Sequence, residues 1–131
     1  MANAVDTTFP TGRVLTNYTV NVTRSQTSNT ATGITLPQGW VTMDVRILGP
    51  VASDASGTAV ISVGSTNSTT GVFVSAFNVK TNGLGLSIPS SVAVIAQTLP
   101  AATPVTVQYT ENGTASTVGG PWTVCISGFQ I

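Results

Sequence analysis

Residues Ser116–Gly128 read STVGGPWTVCISG. The stretch holds a Gly-Gly-Pro, a tryptophan and the single cysteine of the chain. Two readings compete: a glycine loop beside a nucleophilic thiol, or a turn that feeds a strand. A phosphate-cradling loop converges several backbone N–H groups at the start of a helix, usually with a lysine behind them. Here Gly119 and Gly120 are followed by Pro121, which has no N–H, and then by Trp122, Val124 and Ile126 at alternate positions. No Lys or Arg occurs after Pro121. A reactive thiolate needs a neighbouring base or cation, and the chain has no histidine, so neither a Cys–His nor a Ser–His pair exists. The stretch is therefore a turn entering a β-strand, with Cys125 a small, semi-apolar strand residue.

The same period of two runs outward through most of the chain. RVLTNYTVNVTR sets Val14, Tyr18, Val20 and Val22 on one face and Asn17, Thr19, Asn21 and Thr23 on the other. WVTMDVRILG sets Val41, Met43, Val45 and Ile47 against Trp40, Thr42, Asp44 and Arg46. TAVISV aligns Ala59, Ile61 and Val63, and VTVQYT aligns Val105, Val107 and Tyr109. VFVSAFNVK is apolar on both faces, with Phe73, Phe77 and Val79 opposite Val72, Val74 and Ala76, as expected of a central or interface strand. SVAVIA is two-sided as well. Val, Ile, Thr and aromatic residues suit a pleated sheet. Stretches such as SQTSNTATG, GSTNSTTG, TNGLG and ENG supply the turns, and Asn112-Gly113 is the favoured pair for a tight hairpin. No segment has a convincing helical period. Seven or eight short strands at this spacing predict an all-β, single-domain antiparallel β-sandwich of jelly-roll type over residues 13–131. Residues 1–12 form an extended N-terminal arm, with Pro10 and Gly12 before the first strand.

The 131 residues suffice for one domain with one core. The chain is 41% hydrophobic but only 6% charged, with a formal net charge of +0, against roughly 25% charged residues in ordinary soluble domains. Such a chain repels its own copies weakly, so a working state packed against copies of itself or a larger partner is expected. Four Lys plus Arg cannot neutralise many phosphates, which argues against nucleic-acid binding. No apolar run approaches the ~18–20 residues of a membrane-spanning helix. The opening MANAVDTTFPTGR lacks the basic start and apolar stretch of a signal peptide, so no export by the usual route is expected. The Asn-x-Thr triplets at Asn17, Asn21, Asn67 and Asn112 read as strand and turn residues.

Other chemistry finds few residues to carry it. Zinc and copper lack their usual ligands, and Asp54 with Ser56 in SDASG reads as a turn rather than a calcium loop. Glycoside hydrolysis needs two carboxylates at a set separation. Asp44 and Glu111 are the only plausible pair, and Asp44 has Arg46 two residues away for a surface ion pair. The expectation is a non-enzymatic chain without catalytic residues, metal or cofactor. Among the aromatics, Tyr18, Tyr109 and Trp122 lie on apolar faces, whereas Trp40 falls on a polar face and is a candidate contact residue.

The segments LPQGWVTMDVRILG, GTAVISVGSTN, FVSAFNVKTNG, PVTVQYTENGTAS and GGPWTVCISGF carry few charges, Thr/Ser/Asn-rich faces and Gly-punctuated strands. In this they resemble the small jelly-roll decoration (cement) proteins of tailed-bacteriophage heads. The resemblance spans most of residues 13–131. It implies a dimer or trimer on the outside of an icosahedral capsid, assembled in the host cytoplasm, that clamps neighbouring major capsid proteins. Such a role predicts an interface drawn from Val5 and Phe9 of the arm, from Trp40, and from Val72 and Val74 of the two-sided strand. No nucleic acid, membrane or small-molecule substrate is expected as a partner. The alternative is a carbohydrate-binding receptor-recognition module of a phage tail fibre or tailspike, using exposed aromatic and amide side chains.

Overall fold

The computed structural model describes residues 8–9, 13–65, 73–80 and 98–131. Alternation builds the strands as expected. Nine strands are described: β1 (Thr8–Phe9), β2 (Arg13–Val14), β3 (Thr16–Val22), β4 (Thr30–Leu36), β5 (Trp40–Leu48), β6 (Ala59–Ser65), β7 (Val74–Asn78), β8 (Thr103–Glu111) and β9 (Trp122–Gln130). None of the described residues is helical, so no described helix is long and apolar enough to cross a membrane.

Seven of these strands form two antiparallel sheets, of order β3-β9-β5 and β4-β8-β6-β7. The first long strand pairs with the last (β3 with β9) and the second with the last but one (β4 with β8). The middle strands β6 and β7 pair with each other. The isolated bridge Val41↔Thr98 adds a partner for β5 in the remaining position of this wrapping. A ribbon rolled up in this way is a jelly roll. Between the sheets lie Val45, Ile47, Ile61, Val63, Val105, Val107, Tyr109, Trp122, Val124 and Ile126, each no more than 1% exposed. The Tyr109 and Trp122 rings stack across the sandwich at 5.4 Å and 16°.

Two bulges change the phase that simple alternation predicts. In β5, Thr42 pairs with Gly128 but Asp44 pairs with Ser127, so Met43 is an extra residue. An extra residue turns every side chain on one side of it to the other face. Trp40 and Thr42 therefore join Val45 and Ile47 inside, and Met43 is pushed out. In β7, Ile61 pairs with Phe77 and Val63 with Val74, leaving Ser75 and Ala76 opposite Ser62. Ala76 sits at φ 57°. Val74 consequently comes to the inner face with Phe77. The strand read as a central or interface strand is, among the described residues, an edge of its sheet, and the bulge brings Val74 to the same face as Phe77 while Ala76 stays exposed.

Asn112-Gly113 does not close a tight hairpin either. β8 and β9 belong to different sheets, and residues 112–121 carry the chain from one to the other. Of the N-terminal arm, Thr8 and Phe9 pair with Val14 and Arg13 as a short ladder. Residues 1–7 and 10–12, together with the SVAVIA segment, lie outside the described residues.

Candidate functional site

At one end of the sandwich the β8–β9 loop is held by three charged side chains, Arg24, Asp54 and Glu111. Tyr109 is buried, and its hydroxyl donates to Glu111 Oε1 at 2.6 Å. With that proton committed, the Ser53 hydroxyl donates to the Tyr109 oxygen at 2.7 Å. Glu111 also accepts from the Ser116 hydroxyl at 2.6 Å and the Ser116 N–H at 2.9 Å. Arg24 donates to the carbonyls of Ser116 and Thr117. Asp54 accepts from the N–H groups of Thr117 and Val118 and from the Thr117 hydroxyl.

These bonds set the acidities. The Val118 N–H, then the Thr117 hydroxyl, stabilise the Asp54 carboxylate and lower its pKa to about 2. The Ser116 and Tyr109 hydroxyls hold Glu111 below the usual carboxylate range. Burial, then the hydrogen bond to Glu111, pushes the Tyr109 phenol up. The SDASG segment is thus a clamp on the 112–121 loop. Asp44 lies on β5 and pairs with Arg46, as a surface ion pair, while Glu111 ends β8 in the other sheet. The two carboxylates serve separate local networks.

The second feature is the outward face of the β3-β9-β5 sheet. Asn17, Thr19 and Asn21 lie beside Ser127, Cys125 and Thr123. Asn21 and Asn17 accept hydrogen bonds from the Thr123 and Ser127 hydroxyls. Leu15, Met43, Asp44 and Arg46 complete a shallow groove around Cys125. Cys125 is partly exposed on this neutral, hydroxyl- and amide-rich face.

Of the expected contact residues, Trp40 and Val74 are buried in the core. Trp40 is 1% exposed, and its indole N–H donates to Thr42 Oγ1 at 2.9 Å. Its ring meets Tyr18 edge-on at 5.4 Å. The Met43 bulge puts it in the core, which corrects the placement on a polar face, and it presents no surface to a partner. Val74, also 1% exposed, is core for the same kind of reason. Val5 and Val72 lie outside the described residues, and Phe9 is placed only as a member of β1. Sequence reasoning missed Gly128, whose absent side chain admits the Trp40 ring: a Cβ there would meet Val41 O, and Trp40 Cζ2 at 2.7 Å. The signal was present as a lone glycine inside a strand pattern, which marks a bulge or a close approach.

Fold and surface together define a small, neutral jelly roll whose polar side chains mostly serve its own loops. The chain matches no protein-family model and no curated protein. In three dimensions it is similar to a chain of the cyanophage Pam1 capsid asymmetric unit. The TM-score is 0.63 at 16% sequence identity, over 99% of this chain and 94% of that one. The likeness is one of fold.

Proposed function

We propose that this chain is a structural protein of a phage virion, without enzymatic activity, that binds the outside of the capsid and stabilises it by clamping neighbouring major capsid proteins. The observation that carries this reading is the match to a capsid chain across nearly the full length of both molecules. The matched chain is thus itself about the size of one such jelly roll, as suits an accessory subunit. The composition agrees: each site on a shell removes a modest apolar area from water, at roughly 25 cal/mol per Å² before association costs, and symmetry repeats the gain over the particle. The aromatic rings that a glycan platform would need are largely committed to the core, since Trp40, Trp122 and Tyr109 are buried.

The test is co-sedimentation of the purified chain with heads of the phage that carries its gene, lacking this protein. Saturable binding that raises the temperature at which the heads release DNA supports the reading. Absence of binding to heads, with binding to host polysaccharide instead, refutes it.

A further inference from the structure

We infer that the outer edge of β3 is a self-association surface, on which a second copy of this chain adds its own β3 antiparallel about a two-fold axis through Thr19. β3 pairs with β9 over all seven residues from Thr16 to Val22 without a register shift. Its other edge has no partner strand among the described residues, and the β1–β2 ladder stops at Val14. Exposed strand edges are normally blunted by a charge, a proline or a bulge. β4 has such a guard, a register shift around Gly33 at φ 82° with the Thr32 hydroxyl turned onto Val105 O. β7 has the Ala76 bulge, and β5 has the Thr98 bridge. The segment TNYTVNV has none of these devices.

Its order also favours a copy of itself over an unrelated strand. Reflected about Thr19, Asn17 faces Asn21, Tyr18 faces Val20 and Thr19 faces Thr19. Amide–amide and Thr–Thr pairs would line the outer face, and aromatic–β-branched pairs the inner one; the Thr–Thr and aromatic–β-branched pairs are favourable across antiparallel strands. Tyr18 and Val20 point inward yet are only partly buried against the core. A mate strand would complete their cover. No charge lies within β3 to oppose the approach. The inference does not depend on the capsid reading, since it concerns the free chain.

Sedimentation of three samples tests it. Thr19 is exposed, so Thr19→Lys and Thr19→Glu leave the core intact, as circular dichroism would check. The wild type is expected to sediment as a dimer. Each variant alone should shift to monomer, because like charges meet on the axis, and an equimolar mixture of the two should return to dimer. A wild type that stays monomeric at every concentration overturns the inference, as do variants that still dimerise alone or a mixture that stays monomeric. The competing occupant is the segment of residues 1–7. If deleting residues 2–7 creates a dimer that the full chain does not form, the edge belongs to the chain's own N-terminus and the inference fails.

Discussion

Two buried hydroxyl groups on β8 have opposite fates. Tyr109 Oη sits among Ser53, Glu111 and Ser116, whereas Thr106 Oγ1 is buried with no hydrogen-bond partner among the described residues. Removing a paired buried group strands its partners, while removing an unpaired one removes a desolvation penalty. Tyr109→Phe should therefore destabilise by about 1–3 kcal/mol, and Thr106→Val should be neutral or stabilising by up to about 1 kcal/mol. Urea unfolding of the two variants checks both, and equal losses would refute the assignment. The carboxylates of the same network predict an acid profile. Asp54 and Glu111 have folded pKa values below their unfolded ones, about 2 against 3.8 for Asp54. The stability they contribute is complete above the unfolded values and is lost as pH falls through the folded ones. Melting temperature should decline from about pH 5 towards pH 2. Glu111→Gln should start lower at neutral pH and decline less steeply. A variant that parallels the wild type throughout would show that Glu111 carries no linkage.

At the scale of the strand, the decisive features are the two bulges. β8, β9 and β6 were legible because their alternation is unbroken: Val105, Val107 and Tyr109, or Trp122, Val124 and Ile126, fall inside as their spacing requires. β5 and β7 were only half legible. A bulge leaves composition untouched and changes phase, so Trp40 and Val74 moved to the face opposite the expected one. Nothing in WVTMDVRILG alone announces the extra residue. The compensating signal lies on another strand, at Gly128, where Trp40 needs room. The loop network was legible in its residues but not in its partners, because Arg24, Asp54, Glu111 and Ser116 come from separated parts of the chain. A Cβ at Gly128 would meet both the Val41 carbonyl and the Trp40 ring, so Gly128→Ala should cost about 3 kcal/mol, at the upper end for overpacking. Trp40→Leu vacates the ring's place but leaves the Val41 carbonyl, the nearer neighbour of a Cβ at position 128, so it should relieve the glycine substitution only in part. Purely additive losses in that double-mutant cycle would show that the two residues are independent.

For the molecule as a whole, the question is what its charges leave for a partner. Asp44 is paired with Arg46. Asp54, Glu111 and Arg24 are bound to the 112–121 loop, and Lys80 donates to Ser56 O. Every charged side chain described is thus occupied within the chain. The outward sheet face beside them is amide, hydroxyl, Leu15 and Met43. A partner that docks on such a surface gains by apolar burial and neutral hydrogen bonds, neither of which salt screens. Raising ionic strength from about 0.1 M to about 1 M shortens the Debye length from about 10 Å to about 3 Å. An attachment built on charge would weaken steeply over that range, whereas the proposed attachment to a phage head should keep its affinity within about twofold, since few ion pairs are available to screen. The measurement is occupancy on phage heads against salt, at a concentration near half-saturation. A steep fall would mean that the Asp44–Arg46 pair opens to bind a partner, or that charges outside the described side chains, Asp6 and Arg13, carry the contact. Asp44→Asn with Arg46→Gln would separate these outcomes: the salt dependence would disappear in the first case and persist in the second.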